Sequence, residues 1–301
     1  MRILITGSNG LLGQKLVELL RRQPEVKTIA TSRGHNKLAS LYPDLYFVPL
    51  DVTDQAQVRQ VIAAEKPTHL IHAAAMTNVD ECELNREACW LQNVTAVKYL
   101  VEACTEYQVH LAHVSTDFIF SGEEGPLTEE AEPGPVNFYG ESKLAAERIV
   151  QASSSAWTIL RTVLVYGTAQ EYGRTNIVLW VRESLLAGKQ IKVVDDQFRT
   201  PTLAEDLAQG CWLAAKYNAT GIYNISGNEL FTPYQMALQV ADYFKLDKSL
   251  ITKVDASVFS QPAKRPLRTG FIISKAQRDL GFQPRTFKQS IALLEQQMVL
   301  A

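Results

Sequence analysis

Three glycines, Gly7, Gly10 and Gly13, stand immediately after the run Arg2-Ile3-Leu4-Ile5-Thr6, and a helical apolar period follows over residues 11–22. A strand that passes through a glycine turn into a helix commits the chain to a βα unit, because only glycine lets the backbone turn sharply there and bring helix close to strand. The alternation continues. Short strand-like runs at 27–31, 46–50, 69–73, 110–115 and 157–165 alternate with helical patterns at 55–65, 86–108 and 139–151. Such alternation predicts parallel strands, right-handed crossovers and helices on both faces. The expected fold class is α/β: a doubly wound parallel sheet, a Rossmann fold, over residues 1–165, then a smaller C-terminal α/β substrate-binding lobe over 166–301. In the lobe, helices are expected at 176–187, 204–217, 233–244 and 288–298, and strands at 191–194 and 222–225. Part of it, about 191–217, is expected to return to the sheet.

At 301 residues the chain can bury about 75 % of its surface, so it needs no covalent staple. A net charge of -2 with no basic block argues against nucleic acid as a partner. The four cysteines, Cys82, Cys89, Cys104 and Cys211, lack CxxC spacing and read as reduced thiols of a cytoplasmic protein. No run of 18 apolar residues is present to span a membrane, and the apolar start is too short for a signal segment. Oligomeric state stays open, a homodimer included. The polar stretch 121–138, rich in glutamate, reads as a solvated acidic loop.

The glycine turn is a candidate pyrophosphate cradle. First-turn amides, those of Leu11 and Leu12 among them, and the positive end of the helix dipole would face the ligand. A ribose selector is expected at the end of the second strand, where the chain reads Ser32-Arg33 and carries no carboxylate. A guanidinium pairs with a 2'-phosphate, so NADP(H) is preferred and NAD(H) remains open, Arg33 being otherwise a solvated surface residue. Asp51 and Val52 close the third strand and could meet the adenine, while Ala73-Ala74-Ala75 leaves bare backbone at the end of the fourth.

Tyr139 and Lys143 lie four residues apart at a helix start, after a strand ending Ser115-Thr116-Asp117. That spacing puts them on one helix face, where an ammonium can lower the phenol pKa, and strand C-termini are where doubly wound sheets bind ligands. Thr116 could then share a carbonyl oxygen with Tyr139 during hydride delivery. The histidine pairs 69/72 and 110/113 point to opposite strand faces and cannot share one ion, so no metal is expected.

With these residues in view the chain resembles the extended short-chain dehydrogenase/reductases, and within them the dTDP-4-dehydrorhamnose reductases. The resemblance spans nearly the whole chain. It rests on Gly7-x-x-Gly10-x-x-Gly13, Ala73-Ala74-Ala75-Met76-Thr77-Asn78-Val79-Asp80, Ser115-Thr116-Asp117-Phe118-Ile119-Phe120, Tyr139-Gly140-Glu141-Ser142-Lys143, Arg161-Thr162, Asp196-Gln197-Phe198 and Pro201-Thr202. It implies that Tyr139 is the general acid, that Lys143 binds the nicotinamide ribose and tunes Tyr139, and that Thr116 polarises the keto group. It implies too that Asn93 supports a relay water near the lysine, that Ala74 to Met76 touch cofactor, and that Asp117 touches substrate, with Asn176 and Arg199 as further substrate-binding candidates. The implied substrate is a 4-keto nucleotide-sugar, reduced to finish dTDP-L-rhamnose. Two departures concern the sugar: Val163-Leu164 stands where the family commonly has a tryptophan, and the segment after Arg265-Pro266 lacks the usual serine and leucine-aspartate pattern. Two other readings stay in play: a sugar epimerase or dehydratase, against which Phe118 replaces the needed glutamate, and a non-catalytic nucleotide-binding subunit like the partner of methionine adenosyltransferase.

Overall fold

The computed structural model describes residues 1–171 and 176–300. The first half runs β1 (Arg2–Thr6), α1 (Leu11–Leu20), β2 (Lys27–Ser32), β3 (Phe47–Pro49), α2 (Gln55–Glu65) and β4 (His69–His72). It continues through α3 (Val79–Leu84), α4 (Arg86–Trp90), α5 (Ala96–Tyr107), β5 (His110–Thr116), α6 (Phe138–Gln151) and β6 (Trp157–Thr162). Then follow β7 (Val165–Tyr166), α7 (Ile177–Leu186), β8 (Ile191–Val194), β9 (Thr202–Leu203), α8 (Ala204–Lys216) and β10 (Gly221–Asn224). The chain closes with α9 (Pro233–Phe244), β11 (Ile251–Val254), α10 (Ser274–Leu280) and α11 (Phe287–Leu300).

Seven strands form one parallel sheet in the order β10-β6-β5-β4-β1-β2-β3. Helices cover both faces, which makes the fold the doubly wound sheet that the alternation predicts. Leu16 and Leu20 of α1 pack with Leu207 and Trp212 of α8 on one face. Val58 and Ile62 of α2, Leu100 of α5 and Val150 of α6 fill the other. A third core, holding Tyr166, Val181, Val193, Met236 and Ile291, lies among α7, α9, α11 and the paired strands β8 and β11. The strand order reverses between β1 and β4, and ligands of open α/β sheets bind beyond the strand ends at such a reversal. Among the described residues no helix is long and apolar enough to cross a membrane.

Three elements differ from the sequence reading. The expected strand 157–165 ends at Thr162, because Leu164 adopts a left-handed φ of 36° and turns the chain out of the sheet, so that β7 pairs with β9 instead. The expected helix 86–108 is interrupted by a π turn at Leu91–Thr95. Strand β8 forms where predicted but pairs with β11 in the third core, so it is α8 and β10 that return to the sheet, β10 alongside β6.

The acidic stretch keeps Glu123, Glu124, Glu130 and Glu132 in solvent, as expected, but it is tied to distant parts of the chain at Leu127 and Glu129. Leu127 N–H donates to Gly270 O at 2.8 Å, and Ile272 N–H donates back to Leu127 O at 2.9 Å. Asn224 N–H donates to Glu129 Oε1 at 2.9 Å, and Arg161 Nη1 donates to Glu129 O at 3.0 Å. Arg161 also grips Glu147 of α6 with two bonds, Nε to Oε1 at 3.1 Å and Nη2 to Oε2 at 2.8 Å. Both side chains are buried, at 3 % and 0 % exposure. Removing one partner leaves the other charge buried and unpaired. Arg161→Ala should therefore cost about 3 to 5 kcal/mol of stability in urea denaturation; a loss below about 1 kcal/mol, the scale of a surface pair, would show that the pair is solvated after all.

Candidate active site

The turn from β1 into α1 is built on close backbone approach. Gly7 has φ 72°, and a Cβ there would lie 2.9 Å from Ala74 Cα and N; one at Gly13 would lie 2.1 Å from Gly7 O. Gly10 caps α1 without any side-chain hydrogen bond, leaving the amides of Leu11, Leu12 and Gly13 for a ligand. Ser8 Oγ is buried in the same turn with no partner among the described residues. Alongside runs a groove of about 490 Å³ lined by Gly7, Gly10, Ser32, Arg33, Val52 and the strip from Ala73 to Met76. Leu50, Thr53, Ala88, Leu91 and Gln92 complete its wall, and sequence reasoning did not single them out. An open phosphate cradle, an orphaned hydroxyl and a wall of small residues fit a dinucleotide.

Asp51 is not among the lining residues. Its carboxylate accepts from Thr53 N–H at 2.9 Å and Thr53 Oγ1 at 2.7 Å, with Arg33 Nη1 at 4.0 Å. Burial pushes this carboxyl up, but the Thr53 bonds and the Arg33 charge outweigh it and hold it below the usual range. Arg33 keeps a side chain 67 % exposed at the groove edge. A cleft of about 500 Å³ between α1 and α8 is slightly larger, yet its charges are already paired, Lys15 with Glu205 and Arg285 with Asp206.

Tyr139 stands in the first turn of α6. Asn137 caps that helix by accepting from Gly140 N–H at 2.9 Å. A Cβ on Gly140 would lie 2.1 Å from Phe118 O, so the helix start rests directly on the turn that ends β5. This contact sets Tyr139 beside Thr116, close enough for the threonine to act on its phenol. Thr116 in turn accepts from Phe118 N–H and donates to Asp117 Oδ1, each at 3.2 Å. Phe118 meets the Tyr139 ring edge to face, with centroids 5.7 Å apart.

Lys143 lies one turn further along α6, but its ammonium faces the sheet. Nζ donates to Val114 O at 2.8 Å and lies 3.2 Å from His113 Nε2. Consequently it does not lower the Tyr139 pKa as the spacing suggested. Burial raises that phenol well above its ordinary value, opposed by the nearby Thr116. Burial also brings Lys143 down to about 8, opposed by Glu147 and Cys89.

Asn93 sits on the π turn, where its Oδ1 accepts from Met76 N–H at 2.8 Å and its Nδ2 donates to Met76 O at 3.0 Å, so it clamps the groove lip and touches Ser142 and Cys89. Asp117 and Arg199 are spent on each other, Nε to Oδ2 at 3.5 Å and both buried, with Thr269 Oγ1 donating to the same carboxylate oxygen at 2.5 Å. Asn176 caps α7, accepting from Val178 and Leu179 N–H and donating to Gly167 O at 2.7 Å. These three hold the lobe in place around the site. The lobe is latched again where Arg265 meets Asp80 of α3 through two 2.6 Å bonds and Asn137 Nδ2 donates to Lys264 O at 2.7 Å. A second groove, about 400 Å³, opens beside this latch among Ser121, Asp196, Phe198, Lys264, Arg265 and Arg268.

Residues 1–299 match the family described as RmlD substrate binding domain. The chain belongs to that RmlD family. It is 30 % identical to a dTDP-4-dehydrorhamnose reductase of Aggregatibacter actinomycetemcomitans, covering 96 % of this chain and 97 % of the relative. Methionine adenosyltransferase 2 subunit beta of Xenopus laevis is also 30 % identical, over 95 % of this chain and 84 % of that one. Among RmlD structures, the dTDP-4-dehydrorhamnose reductase of Bacillus anthracis, in complex with NADP, superposes with a TM-score of 0.82 at 27 % identity, covering 98 % and 99 % of the two chains. The reductase branch of the extended short-chain dehydrogenase/reductases is thus the RmlD setting of this fold and groove. In this RmlD chain, Gly7→Ala should weaken dinucleotide binding by at least about tenfold, since the left-handed φ alone costs roughly 1 to 2 kcal/mol and the Cβ strikes Ala74. Fluorescence titration with NADPH measures it; unchanged affinity would place the ligand away from the turn.

Proposed function

We propose that the protein is an NADPH-dependent reductase of a 4-keto nucleotide-sugar, of the dTDP-4-dehydrorhamnose type that completes dTDP-L-rhamnose. The observation that carries this reading is the placing of Tyr139 beside Thr116 at the end of β5, where Gly140 rests on Phe118 O, with Lys143 one turn behind and the dinucleotide groove alongside. A bound dihydronicotinamide would supply the hydride. Gly7, Gly10 and the first-turn amides would hold its pyrophosphate, and the strip Ala73 to Met76, fixed by Asn93, would flank its ribose. Arg33, exposed at the groove edge, suits a 2'-phosphate and is the ground for preferring NADP(H) over NAD(H). The relative from Bacillus anthracis carries NADP, which supports that preference.

The buried phenol of Tyr139 stays protonated at neutral pH, which is the form a general acid needs. As negative charge develops on the keto oxygen, Tyr139 transfers its proton and Thr116 offers a second donor. Lys143, one turn behind, would hold the nicotinamide ribose with the ammonium donor that Val114 O and His113 leave free. Lys264 and Arg268 around the second groove suit the diphosphate of the sugar nucleotide, Arg265 being held by Asp80.

Dehydratase chemistry lacks its parts here. Phe118 packs on Tyr139 where a base would be needed, and Asp117 is held by Arg199 and Thr269. The subunit reading is kept because of the methionine adenosyltransferase relative, and turnover decides between the two. Tyr139→Phe should bind NADPH nearly as the native protein does while reduction falls at least about 100-fold; equal rates would remove Tyr139 from the mechanism. NADPH should bind more tightly than NADH, and a titration giving the opposite order would reverse the cofactor assignment. Because Lys143 acts as an ammonium and titrates near 8, kcat should fall as pH rises through that value. A flat profile from pH 7 to about 9 would leave Lys143 without an electrostatic role.

A further inference from the structure

Three strands place polar side chains in one row beneath the site. Thr6 of β1 is in register with His72 of β4, and His72 with His113 of β5. Thr6 Oγ1 and His72 Nδ1 are 2.7 Å apart, and the His72 and His113 rings stack at 5.4 Å. The row ends on Lys143, whose Nζ lies 3.2 Å from His113 Nε2. His72, His113 and Lys143 are almost wholly buried. A core histidine pair filling space would require none of this polarity.

The ammonium has lost its water and must be solvated by the protein. Glu147 on α6 is the nearest carboxylate acting on it, but Arg161 already takes both oxygens of that group. Asp117 is paired with Arg199. Cys89 of α4 adds a weak favourable contribution, and His72 sits behind His113. What remains in hydrogen-bonding contact is Val114 O and the His113 ring. Burial first, then the charge of Lys143 and the neighbouring His72, keeps His113 neutral. A neutral ring that accepts at Nε2 carries its proton on Nδ1, and Nδ1 has no partner among the described residues. An unpaired buried donor is destabilising, so its retention calls for a role.

We propose that His113 is a positioning residue for the reduction: as a neutral acceptor within the sheet it holds the Lys143 ammonium charged and fixed beside β5. It spends, with Val114 O, two of the three ammonium donors and leaves one for the cofactor ribose. This rests on the reductase reading, but the coupling between the two side chains can be read without turnover.

The test is a pH titration of the protein labelled with ¹³C at lysine Cε, the Lys143 signal being assigned with Lys143→Arg, followed by kcat and KM profiles. His113→Phe should lower the Lys143 titration midpoint by about one pH unit, a tenfold loss of proton affinity. The alkaline limb of kcat should move with it while KM for the keto-sugar stays near the native value. His113→Gln, whose Oε1 can reach the place of Nε2, should restore both. An unchanged midpoint in His113→Phe, or an equal shift in His113→Gln, overturns the proposal. Should the Phe variant fail to fold, His113→Asn, with its acceptor drawn back, replaces it: a midpoint lower than in His113→Gln supports the proposal, and equal midpoints overturn it. A shifted midpoint in a protein that reduces no keto-sugar retains the coupling and removes the reductase reading instead.

Discussion

The first turn of α6 lies on the carbonyl of Phe118 with no room for a side chain at Gly140, and the chemistry of the site follows from that contact. Any larger residue there would lift the helix off the end of β5. Tyr139 would then leave Thr116, and Lys143 would lose its grip on the Val114 carbonyl. A catalytic group is only useful when held near its productive geometry, and here one close backbone approach holds three side chains at once. The sheet supplies the other half of the frame. Its strand order reverses between β1 and β4, so the glycine turn and the Ala73 strip meet beside the end of β5.

The site trades solvation for position. Tyr139, Lys143, Asp117 and Arg199 are all buried, and each is satisfied by a partner chosen from a different element. Burial makes the phenol a weaker acid and the ammonium a stronger one, the reverse of what side-by-side placement on a helix suggests. Spacing along a helix fixes which residues share a face. It does not say where a long side chain ends, and the four-carbon stem of Lys143 carries its charge across to the neighbouring strand.

Local features were legible in the chain itself. The glycine turn, strand β1 and helices α2 and α9 follow from residue pattern, and the structure adds Asp54 and Thr232 as the caps of those two helices. Thr116, Tyr139 and Lys143 were legible because strand end and helix start lie close in sequence. What escaped depends on distant partners. Asp117 meets Arg199, Asp80 meets Arg265 at a separation of 185 residues, and Glu129 meets Asn224, none of which leaves a mark in a single sequence. The ties of the acidic stretch escaped for that reason: four of its five glutamates are solvated, while Glu129 and the Leu127 backbone meet groups far along the chain. Leu164 escaped because a left-handed leucine violates its own propensity and is imposed by the fold.

The third core has a consequence for how such a protein changes over time. Its side chains, from Tyr166 to Leu294, pack among themselves and form a cluster separate from the two that hold the sheet. Energetic effects of substitutions far apart and without shared partners add nearly independently. Substitutions in that cluster can therefore accumulate while the sheet and the groove along it keep their stability, and Val163-Leu164, between β6 and β7, sits where the two territories join.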